Sequence, residues 1–454
     1  MMSLREAAAA MTGELHGPDG PVGGVSTDTR TLRPADLFFA LKGERFDAAR
    51  FLDQAYAAGA AGAVVDRNSL PGAARTNAII VVDDARAALG RLAAAWRMRF
   101  TPALIGLTGS NGKTTVKDMI AAVLRSACTD PGHVLATEGN LNNDIGVPLT
   151  LLGLRATHRY AVIEMGMNHT GEIRYLTKLA APDVALVNNA GTAHIGLLGS
   201  REAIAAAKGE IFEGLRASGI AVINADDVFE PYWRGLNEDR RIIDFGLDHP
   251  AQITGRYRGH ALRSEIVLKT PGAQSAFVLP MPGVHNVRNA LAAAAVGVAL
   301  DVPAETTARA LERFVGCEGR MQRLRAINGA TLIDDTYNAN PDSMVAAIAV
   351  LAQTSGKRVL VLGDMAELGN DAPALHAQVG HAARDAGIER LFTLGELSRQ
   401  LCAAFGRGGQ HYTRIEDLLA AVEPELDADT TMLVKGSRSM QMERVVQSFV
   451  ASPP

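Results

Sequence analysis

The sequence predicts an α/β protein of three domains, and three observations lead to that prediction. The chain has 454 residues, which is more than one hydrophobic core normally holds. Apolar runs that end in a polar residue alternate with helical patterns along most of the chain, as in parallel sheets covered on both faces. A glycine-rich segment, residues 109–115, stands between one such run and an amphipathic helix.

The domain limits are placed where the alternation of predicted strands and helices is interrupted. We expect a small α/β domain in residues 1–100, a central P-loop domain with a parallel sheet in 101–322, and a Rossmann-like domain in 323–454. The strands predicted from apolar runs are 36–41, 78–82, 103–107, 160–164, 184–188, 220–224, 331–334, 358–362, 391–394 and 431–434. Helical spacing predicts helices at 85–99 and 201–217, and a buried alanine-rich helix that starts near residue 285.

Composition excludes several classes of function. The net charge of −4 gives no electrostatic signature of nucleic-acid or anionic-membrane binding. Cys128, Cys317 and Cys402 are too far apart to form a metal-binding motif, which suits a reducing compartment. The longest apolar run, residues 290–300, is too short to cross a bilayer, and the N-terminus has no extended apolar region of a signal peptide. We therefore expect a soluble cytoplasmic protein without stable membrane insertion.

The glycine-rich segment has the layout of a phosphate-binding loop. Its residues are Gly109, Ser110, Asn111, Gly112, Lys113, Thr114 and Thr115. Glycines let backbone N–H groups turn toward an anion, and the start of the following helix adds partial positive charge. Lys113 can reach terminal phosphates, and the Thr114 hydroxyl can bind Mg²⁺. The alternative is an ordinary strand-to-helix turn, but the flanking strand and helix favour binding of ATP or GTP.

Three polar residues of the central domain lie where that nucleotide would bind. Glu164 ends a predicted strand, where P-loop enzymes place a metal ligand, although it could instead cap the next helix. His194 follows the next strand, but a lone histidine is more often structural. Lys208 precedes a glycine inside a predicted helix. It is either a solvated lysine paired with Glu210 or part of a site where Gly209 permits close approach.

The start of the alanine-rich helix carries two asparagines one turn apart, Asn286 and Asn289. Their amides face the same way and can hydrogen-bond the donors and acceptors of a purine edge. Helix capping by Asn286 is a compatible alternative. Downstream, polar clusters at 334–341, 363–369 and 435–438 each follow a strand of the predicted C-terminal sheet. Each cluster alone could be turn chemistry, but together they predict a binding wall that faces another domain.

These motifs resemble the Mur ligases of cell-wall precursor synthesis. Residues 25–30 and 38–47 are similar to the UDP-binding N-terminal domain of that family, and the phosphate loop, Glu164, His194, residues 208–210 and residues 285–289 are similar to its ATPase signature. Residues 139–150 and 164–168, with the three C-terminal clusters, are similar to the member that adds D-alanyl-D-alanine. The motif by which another member selects a diamino acid is absent from residues 323–454.

The resemblance implies an activity and its reactants. ATP would phosphorylate the terminal carboxylate of UDP-N-acetylmuramoyl-tripeptide, and the amine of D-Ala-D-Ala would attack the acyl phosphate. Two Mg²⁺ ions and a carbamoylated Lys208 are implied, in a protein that acts as a monomer. The C-terminal domain is expected to bind D-Ala-D-Ala and to close on ATP during the reaction. The third residue of the tripeptide is left open.

The resemblance also assigns roles to single residues. Thr114 and Glu164 would bind the first Mg²⁺, and Glu164, His194 and Lys208 the second. Asn286 and Asn289 would bind adenine, Arg320 the γ-phosphate, and Lys113 would offset charge in the transition state, while Asp335 would complete the catalytic set. The implied uridine-nucleotide residues are Ser26, Thr27, Asp28, Arg30, Lys42, Gly43, Asn140 and Asn142. The implied dipeptide residues are Asn338, Asn340, Lys435 and Ser437.

Two alternatives remain open at this point. Within the same class, the chain could be a ligase for a diamino acid or a folylpolyglutamate-synthetase-like ligase. In a different class, it could be a P-loop regulatory protein whose C-terminal domain recruits a partner, which would leave the C-terminal polar clusters unexplained.

Overall fold

The computed structural model describes residues 1–43, 47–69, 77–193 and 195–451. It confirms an α/β protein in which the N-terminal, central and C-terminal parts each contain their own mostly parallel sheet. His194 and part of the predicted uridine-binding motif, residues 44–46, lie outside the described residues.

The N-terminal sheet is parallel except at one edge, where Glu14–His16 runs antiparallel to Ile79–Val82. Its strands in spatial order are Glu14–His16, Ile79–Val82, Gly62–Asp66, Asp36–Phe39 and Gly24–Ser26. A separate short pair joins Met2–Ser3 to Pro21–Val22. The α-helices of this part are Leu4–Met11, Leu52–Ala57 and Ala85–Arg97. The two strands and the helix predicted here are confirmed, with slightly different ends.

The helix Ala85–Arg97 connects the N-terminal part to the central part. Its first turn is capped by Asp84, whose carboxylate accepts hydrogen bonds from two backbone N–H groups. The indole Nε1 of Trp96 donates to the carbonyl of Leu154 at 3.1 Å, and Arg97 Nε donates to Ala180 O at 3.1 Å. One hydrophobic core therefore runs from the N-terminal helices into the central domain. The limit at residue 100 stays a prediction.

The central sheet is parallel in all its described pairings. Its strands in spatial order are Arg241–Phe245, Ile220–Asn224, Val184–Val187, Ala103–Thr108, Tyr160–Glu164 and Val134–Ala136. The α-helices of this part are Lys113–Ala127, Gly146–Leu152, Glu172–Ala180, Ile195–Leu198, Arg201–Gly209, Glu230–Gly235, Val284–Ala299 and Ala304–Glu312. Helices cover both faces, which explains why the strands are continuous apolar runs.

The predicted helix 201–217 was too long. The α-helix ends at Gly209, and a 3₁₀ turn, Glu210–Glu213, follows it. A Cβ atom on Gly209 would lie 2.9 Å from Leu236 Cδ1 and 3.4 Å from Trp233 Cδ1. The close approach predicted at this glycine is therefore confirmed, and it is made by the neighbouring helix Glu230–Gly235.

An antiparallel sheet between the central strands and the alanine-rich helix was missed. Its strands are Thr254–His260, Arg263–Thr270 and Ala273–Leu279. In its middle strand Ser264, Ile266 and Leu268 are buried while their neighbours are more exposed, which is the period-two pattern of a half-covered sheet. The sequence shows this alternation only in part, because the buried Ser264 is polar and the less buried Val267 is apolar.

The C-terminal sheet is parallel except for its first strand, which forms an antiparallel edge. Its strands in spatial order are Gln322–Arg325, Thr331–Asp335, Thr430–Lys435, Lys357–Gly363, Arg390–Leu394 and Gly409–Tyr412. The α-helices are Pro341–Leu351, Ala372–Asp385, Ser398–Phe405, Ile415–Val422 and Glu443–Phe449. The strands that precede the three polar clusters are neighbours, so the clusters share one sheet edge, as predicted.

No helix in the described part of the chain is long and apolar enough to span a bilayer.

Candidate active site

A cavity of about 770 Å³ lies between the central and C-terminal domains. The phosphate loop and the ends of the central strands form one wall, and the three polar clusters form the other. The predicted binding wall therefore does face another domain. Both sheets contribute the carboxyl ends of parallel strands, which is where open α/β sheets bind ligands.

The phosphate loop has the geometry that a polyphosphate needs. It leaves the strand Ala103–Thr108 and enters a helix that begins at Lys113. Gly112, at the N-cap of that helix, has a φ of +78°, and the Lys113 ammonium donates to Gly109 O at 2.7 Å. Except for Gly109, the predicted loop residues up to Thr115 line the cavity. The loop thus fits the phosphates of ATP.

Replacing Gly112 by alanine should abolish measurable ATP binding. A Cβ there would lie 2.5 Å from Asn289 Oδ1 and 2.9 Å from Asn188 Nδ2, so the loop or these two side chains, which support it, must shift. Gly272 has the same φ of +78° with no atom within 4 Å, and Gly272→Ala is the matched control. Calorimetric titration with ATP should show near-normal affinity for the control. Equal loss in both variants would mean that a strained alanine destabilises the whole fold, and that the collision at the phosphate loop is not the cause.

Glu164 is buried beneath the phosphate loop and is held by two side chains. Its Oε2 accepts a hydrogen bond from the Thr114 hydroxyl at 2.8 Å, and its Oε1 accepts from Asn142 Nδ2 at 2.8 Å. The Thr114 and Glu164 oxygens are hard donors beside the loop, so this pair fits Mg²⁺. Among the described residues no group of three His, Cys, Asp or Glu side chains forms a metal cluster. The other ligands of an ion here would have to be phosphate or water oxygens.

Arg320 reaches the same point from the segment that leads into the C-terminal domain. Its Nη2 donates to the Thr114 hydroxyl at 2.8 Å, and its Cζ lies 3.8 Å from the centroid of the Tyr337 ring. The stacked ring fixes the plane of the guanidinium. Arg320 therefore lies beside the phosphate loop, and its contact with the γ-phosphate stays a prediction.

Lys208 is buried to 1% exposure, and no hydrogen-bond or ion-pair partner is found for it among the described residues. Burial, followed by the nearby positive charge of Lys113, lowers the pKa of Lys208 well below 10.5. Glu210 is not its partner: that carboxylate accepts from the backbone N–H groups of Gly171 and Arg174. The interpretation of Lys208 as a solvated, paired lysine is wrong. His194, the other predicted ligand of a second metal, lies outside the described residues.

The two predicted adenine-binding asparagines line the cavity but already have partners. Asn286 Nδ2 donates to Pro282 O at 2.8 Å from within the first turn of the helix. The capping alternative is wrong, because Gly283 occupies the N-cap and no described side chain caps this helix. Asn289 Oδ1 accepts from Asn188 Nδ2 at 3.1 Å, and Asn188 also donates to Asn111 O at 3.0 Å. Asn289 thus supports the phosphate loop. Adenine binding by this pair stays a prediction.

His285 is a half-buried titratable group in the cavity wall. The pKa of His285 is lowered from 6.5 to about 4, chiefly by burial. The negative charge of Asp335 raises this pKa, whereas the positive charges of Lys435 and Arg288 lower it further. Because the folded pKa lies below the unfolded one, the unfolded state binds more protons between these values, and stability is lost as pH falls from about 6.5 toward 4. Between pH 7 and 5 this loss should amount to about 2 kcal/mol. When the pH is lowered from 7 to 5, the free energy of unfolding in urea should fall by about 2 kcal/mol less in His285→Asn than in the wild type. An equal fall in both proteins would show that His285 does not cause this pH dependence.

The C-terminal cluster is organised around a buried ion pair. Lys435 Nζ donates to Asp335 Oδ2 at 2.6 Å and to Asn338 O at 2.8 Å, and Asp335 Oδ1 accepts from the Met321 N–H at 3.1 Å. Ser437 accepts from the Ala366 N–H at 2.8 Å. These side chains are fixed by one another, so they form a rigid wall. Their contacts with nucleotide or dipeptide stay predictions.

The residues predicted for the uridine nucleotide fall into two places. Asn142 contacts Glu164 and lines the cavity at the phosphate loop. The N-terminal set lies outside the residues that line this cavity; there, the Asp28 carboxylate pairs with the Arg30 guanidinium at 2.5 Å. Lys42 and Gly43 are exposed, as is Asn140. Ser26 is buried, and its hydroxyl donates to Asp28 O at 2.9 Å; Thr27 lies between them.

Sequence reasoning missed three residues that bind the phosphate loop or the loop beside it. Asn189 Oδ1 accepts from the Asn111 N–H at 2.8 Å, and Asn188 holds the Asn111 carbonyl. Asp342 Oδ2 accepts from Thr192 across the domain boundary. The asparagines follow a strand of the central sheet, which was the available signal. Nothing in the sequence indicated the Asp342 contact.

Comparison with known proteins agrees with this geometry. Residues 21–97 match the Mur ligase family catalytic domain, residues 107–297 the Mur ligase middle domain, and residues 319–438 the Mur ligase glutamate ligase domain. The UDP-N-acetylmuramoyl-tripeptide–D-alanyl-D-alanine ligase of Escherichia coli strain K12 is 43% identical over 460 residues, covering 99% of this chain and 98% of that protein. The chain belongs to the Mur ligase family.

Solved structures of related enzymes have the same architecture. A crystal structure of MurF from Acinetobacter baumannii matches with a TM-score of 0.89 and 34% identity, covering 98% of this chain and 97% of that one. The MurF ligase of Thermotoga maritima in complex with ADP matches with a TM-score of 0.82 and 25% identity, covering 93% and 96%. As a Mur ligase, this chain is an ATP-dependent amide ligase, and the regulatory alternative is wrong.

Proposed function

We propose that this Mur ligase joins D-alanyl-D-alanine to UDP-N-acetylmuramoyl-tripeptide in the synthesis of peptidoglycan precursors. The observation that carries the proposal is the cavity that places the phosphate loop opposite the C-terminal polar wall. A ligase of this kind must bring a nucleotide, a carboxylate and an amine together. The names of the related enzymes, including the Escherichia coli protein, identify the carboxylate and the amine as UDP-N-acetylmuramoyl-tripeptide and D-alanyl-D-alanine.

The chemistry follows from the weakness of a carboxylate as an electrophile. One carboxylate oxygen attacks the γ-phosphorus of ATP, ADP leaves, and an acyl phosphate forms. The amine of the dipeptide then adds to the acyl carbon, loses a proton, and phosphate leaves as the amide forms. Negative charge gathers at the phosphoryl group in the first step, where Lys113 and Arg320 both lie next to Thr114.

The metal ions would be held by residues whose chemistry suits them. Thr114 and Glu164 would hold one Mg²⁺ through their oxygens. A second would take Glu164, His194 and a carbamoylated Lys208. Bound Mg²⁺ supplies charge neutralisation for the phosphates. An ammonium cannot ligate a metal, whereas carbamoylation requires a neutral amine, and the lowered pKa of Lys208 favours that form.

Chemical rescue should reveal the modification. Lys208→Ala is expected to lose at least about 100-fold in kcat, because an oxygen ligand of the metal site is removed. Adding a short carboxylate such as acetate or propionate should restore part of that activity by replacing the carbamate oxygens. The same addition to Lys178→Ala, at an exposed lysine, serves as the control. No rescue, together with full wild-type activity in CO₂-free buffer, would rule out the carbamate.

The dependence of ADP release on the amine tests the proposed function. With UDP-N-acetylmuramoyl-tripeptide and ATP present, D-Ala-D-Ala should stimulate ADP release strongly. A diamino acid or glutamate should not. Stimulation by a diamino acid on the shorter UDP-N-acetylmuramoyl-dipeptide, or by glutamate on a folate, would favour the alternatives within the class. ADP release that no amine accelerates would contradict the proposal.

We also propose that the enzyme works as a monomer in the cytoplasm, where ATP and UDP-linked precursors occur. Support comes from the three free cysteines and from an active-site cavity to which one chain supplies both walls. Sedimentation of the purified protein tests the monomer, because a stable dimer would sediment at twice the mass.

A further inference from the structure

We propose that Asp342 is a positioning residue that couples closure of the C-terminal domain to the loop bracing the phosphate loop. Asp342 lies in the first turn of the helix Pro341–Leu351 of the C-terminal domain. Its Oδ2 accepts two hydrogen bonds from Thr192 of the central domain, from the backbone N–H at 2.9 Å and from the hydroxyl at 2.8 Å. Asp342 is exposed, but a carboxylate that receives two donors from one residue across a domain boundary is still a directional contact.

The loop that Asp342 holds is the one that braces the phosphate loop. Ser110 N–H donates to Asn189 O at 3.0 Å, and the Ser110 hydroxyl donates to Gly191 O at 3.4 Å. The Asn189 side chain also exchanges two hydrogen bonds with the backbone of Asn111. Residues 188–192 therefore lie directly against the loop that would carry the phosphates, and Thr192 is the point where the C-terminal domain holds them.

Two further observations show that the two domains pack closely around the contact between Asp342 and Thr192. A Cβ on Gly191 would lie 2.7 Å from Asp342 Oδ2, so this position needs glycine for the carboxylate to approach. The residue two positions earlier, Asn340, donates from Nδ2 to Asn111 Oδ1 at 2.7 Å while its own Oδ1 caps the helix. One short segment of the C-terminal domain thus holds the phosphate loop and its supporting loop together.

This arrangement has a mechanistic consequence. When the domains separate, Thr192 and Asn111 lose these partners, while the hydrogen bonds inside the central domain remain. Nucleotide can then enter the open cleft, and closure restores the hydrogen bonds that Thr192 donates to Asp342 and that Asn340 donates to Asn111. Asp342 contributes to the rate of the closed complex rather than to the initial binding of ATP, and it acts through Thr192 without touching the reacting atoms.

A double-mutant cycle with matched variants tests the coupling. Asp342→Ala should lower kcat by about 10- to 100-fold, the range for losing hydrogen bonds to a charged group, with the affinity for ATP changed less than about threefold. Thr192→Ser keeps both donors and should behave as wild type, whereas Thr192→Val keeps only the N–H and should lose part of the rate. In the Thr192→Val background, Asp342→Ala should cost clearly less than it does alone. Asp385→Ala, at an exposed carboxylate of the same domain, is the control.

Hydrogen exchange gives a readout that does not depend on the acceptor substrate. In the full-length enzyme, the non-hydrolysable analogue AMPPCP with Mg²⁺ should increase protection of residues 188–193, and Asp342→Ala should remove that increase. The rate measurements rest on the proposed function, whereas the exchange measurement tests the coupling even if another amine is the substrate. The proposal would be overturned if the effects of the two mutations on kcat were additive. It would also be overturned if AMPPCP with Mg²⁺ increased the protection of residues 188–193 in Asp342→Ala as much as in the wild type. A raised KM for D-Ala-D-Ala with a normal kcat would overturn it as well, because Asp342 would then contact the dipeptide.

Discussion

Replacing Glu164 by alanine is expected to lower kcat by about 100- to 1000-fold, the range for removing one charge-stabilising group from an active site. The Glu164 carboxylate ends a strand below the phosphate loop and accepts from both Thr114 and Asn142. Without it, the Thr114 hydroxyl loses the acceptor that orients it, and the candidate Mg²⁺ site loses its only described carboxylate. Steady-state ADP release at saturating substrates measures the effect.

Two comparisons make the Glu164 result specific. Glu164→Gln keeps the size and an oxygen acceptor but loses the charge, so it should remain folded and still be strongly impaired. Glu138→Ala removes an exposed carboxylate from the same region and should leave kcat within about twofold, as surface substitutions usually do. If Glu164→Gln were as active as the wild type, a negative charge at this position would not be needed and the metal assignment would fail.

Replacing Arg320 by alanine is expected to lower kcat by about 100-fold or more while ATP still binds. Its guanidinium donates to Thr114 and stacks on Tyr337, and it belongs to the segment that joins the two domains. Its charge therefore lies beside the phosphate loop, where it can stabilise the negative charge that develops on the phosphoryl group in the transition state. Separate measurements of kcat and of the Kd for ATP distinguish this role from simple binding.

Lysine should not substitute for Arg320. An ammonium keeps the charge but lacks the planar group that stacks on Tyr337 and the fork of donors, so Arg320→Lys should recover little of the rate. Arg323→Ala, at an exposed arginine on the adjoining edge strand, should behave as wild type. A large increase in the Kd for ATP in Arg320→Ala, with normal turnover at saturation, would show that this residue only binds nucleotide.

Much of the fold could be predicted because parallel strands buried on both faces leave a strong pattern. The runs at Tyr160–Glu164 and Ile220–Asn224 have the predicted limits in the structure. The sheet Thr254–His260 to Ala273–Leu279 was missed because it is covered on one face only, so its alternating pattern is weak and resembles that of a loop. The prediction of strands failed for this sheet, in which only one face is covered by other parts of the protein.

In the candidate active site, the features formed by consecutive residues could be predicted, whereas the contacts between distant segments could not. The phosphate loop and Glu164 were recognisable because strand, loop and helix are consecutive in the sequence. The partners of individual side chains were not, because they depend on contacts between distant segments. Glu210 binds the N-terminus of the helix Glu172–Ala180 rather than Lys208, and the Asp342 contact joins residues 150 positions apart. Such pairings are fixed by the packing of whole domains.

Oxygen-isotope transfer tests the central claim of acyl-phosphate chemistry most directly. UDP-N-acetylmuramoyl-tripeptide labelled with oxygen-18 in its terminal carboxylate is incubated with the enzyme, ATP and D-Ala-D-Ala, and the released phosphate is analysed by mass spectrometry. Because a carboxylate oxygen bonds to phosphorus and leaves with it, each phosphate should carry one labelled oxygen, and label should appear in step with the pentapeptide product. Product formation with unlabelled phosphate would contradict the mechanism proposed for this cavity.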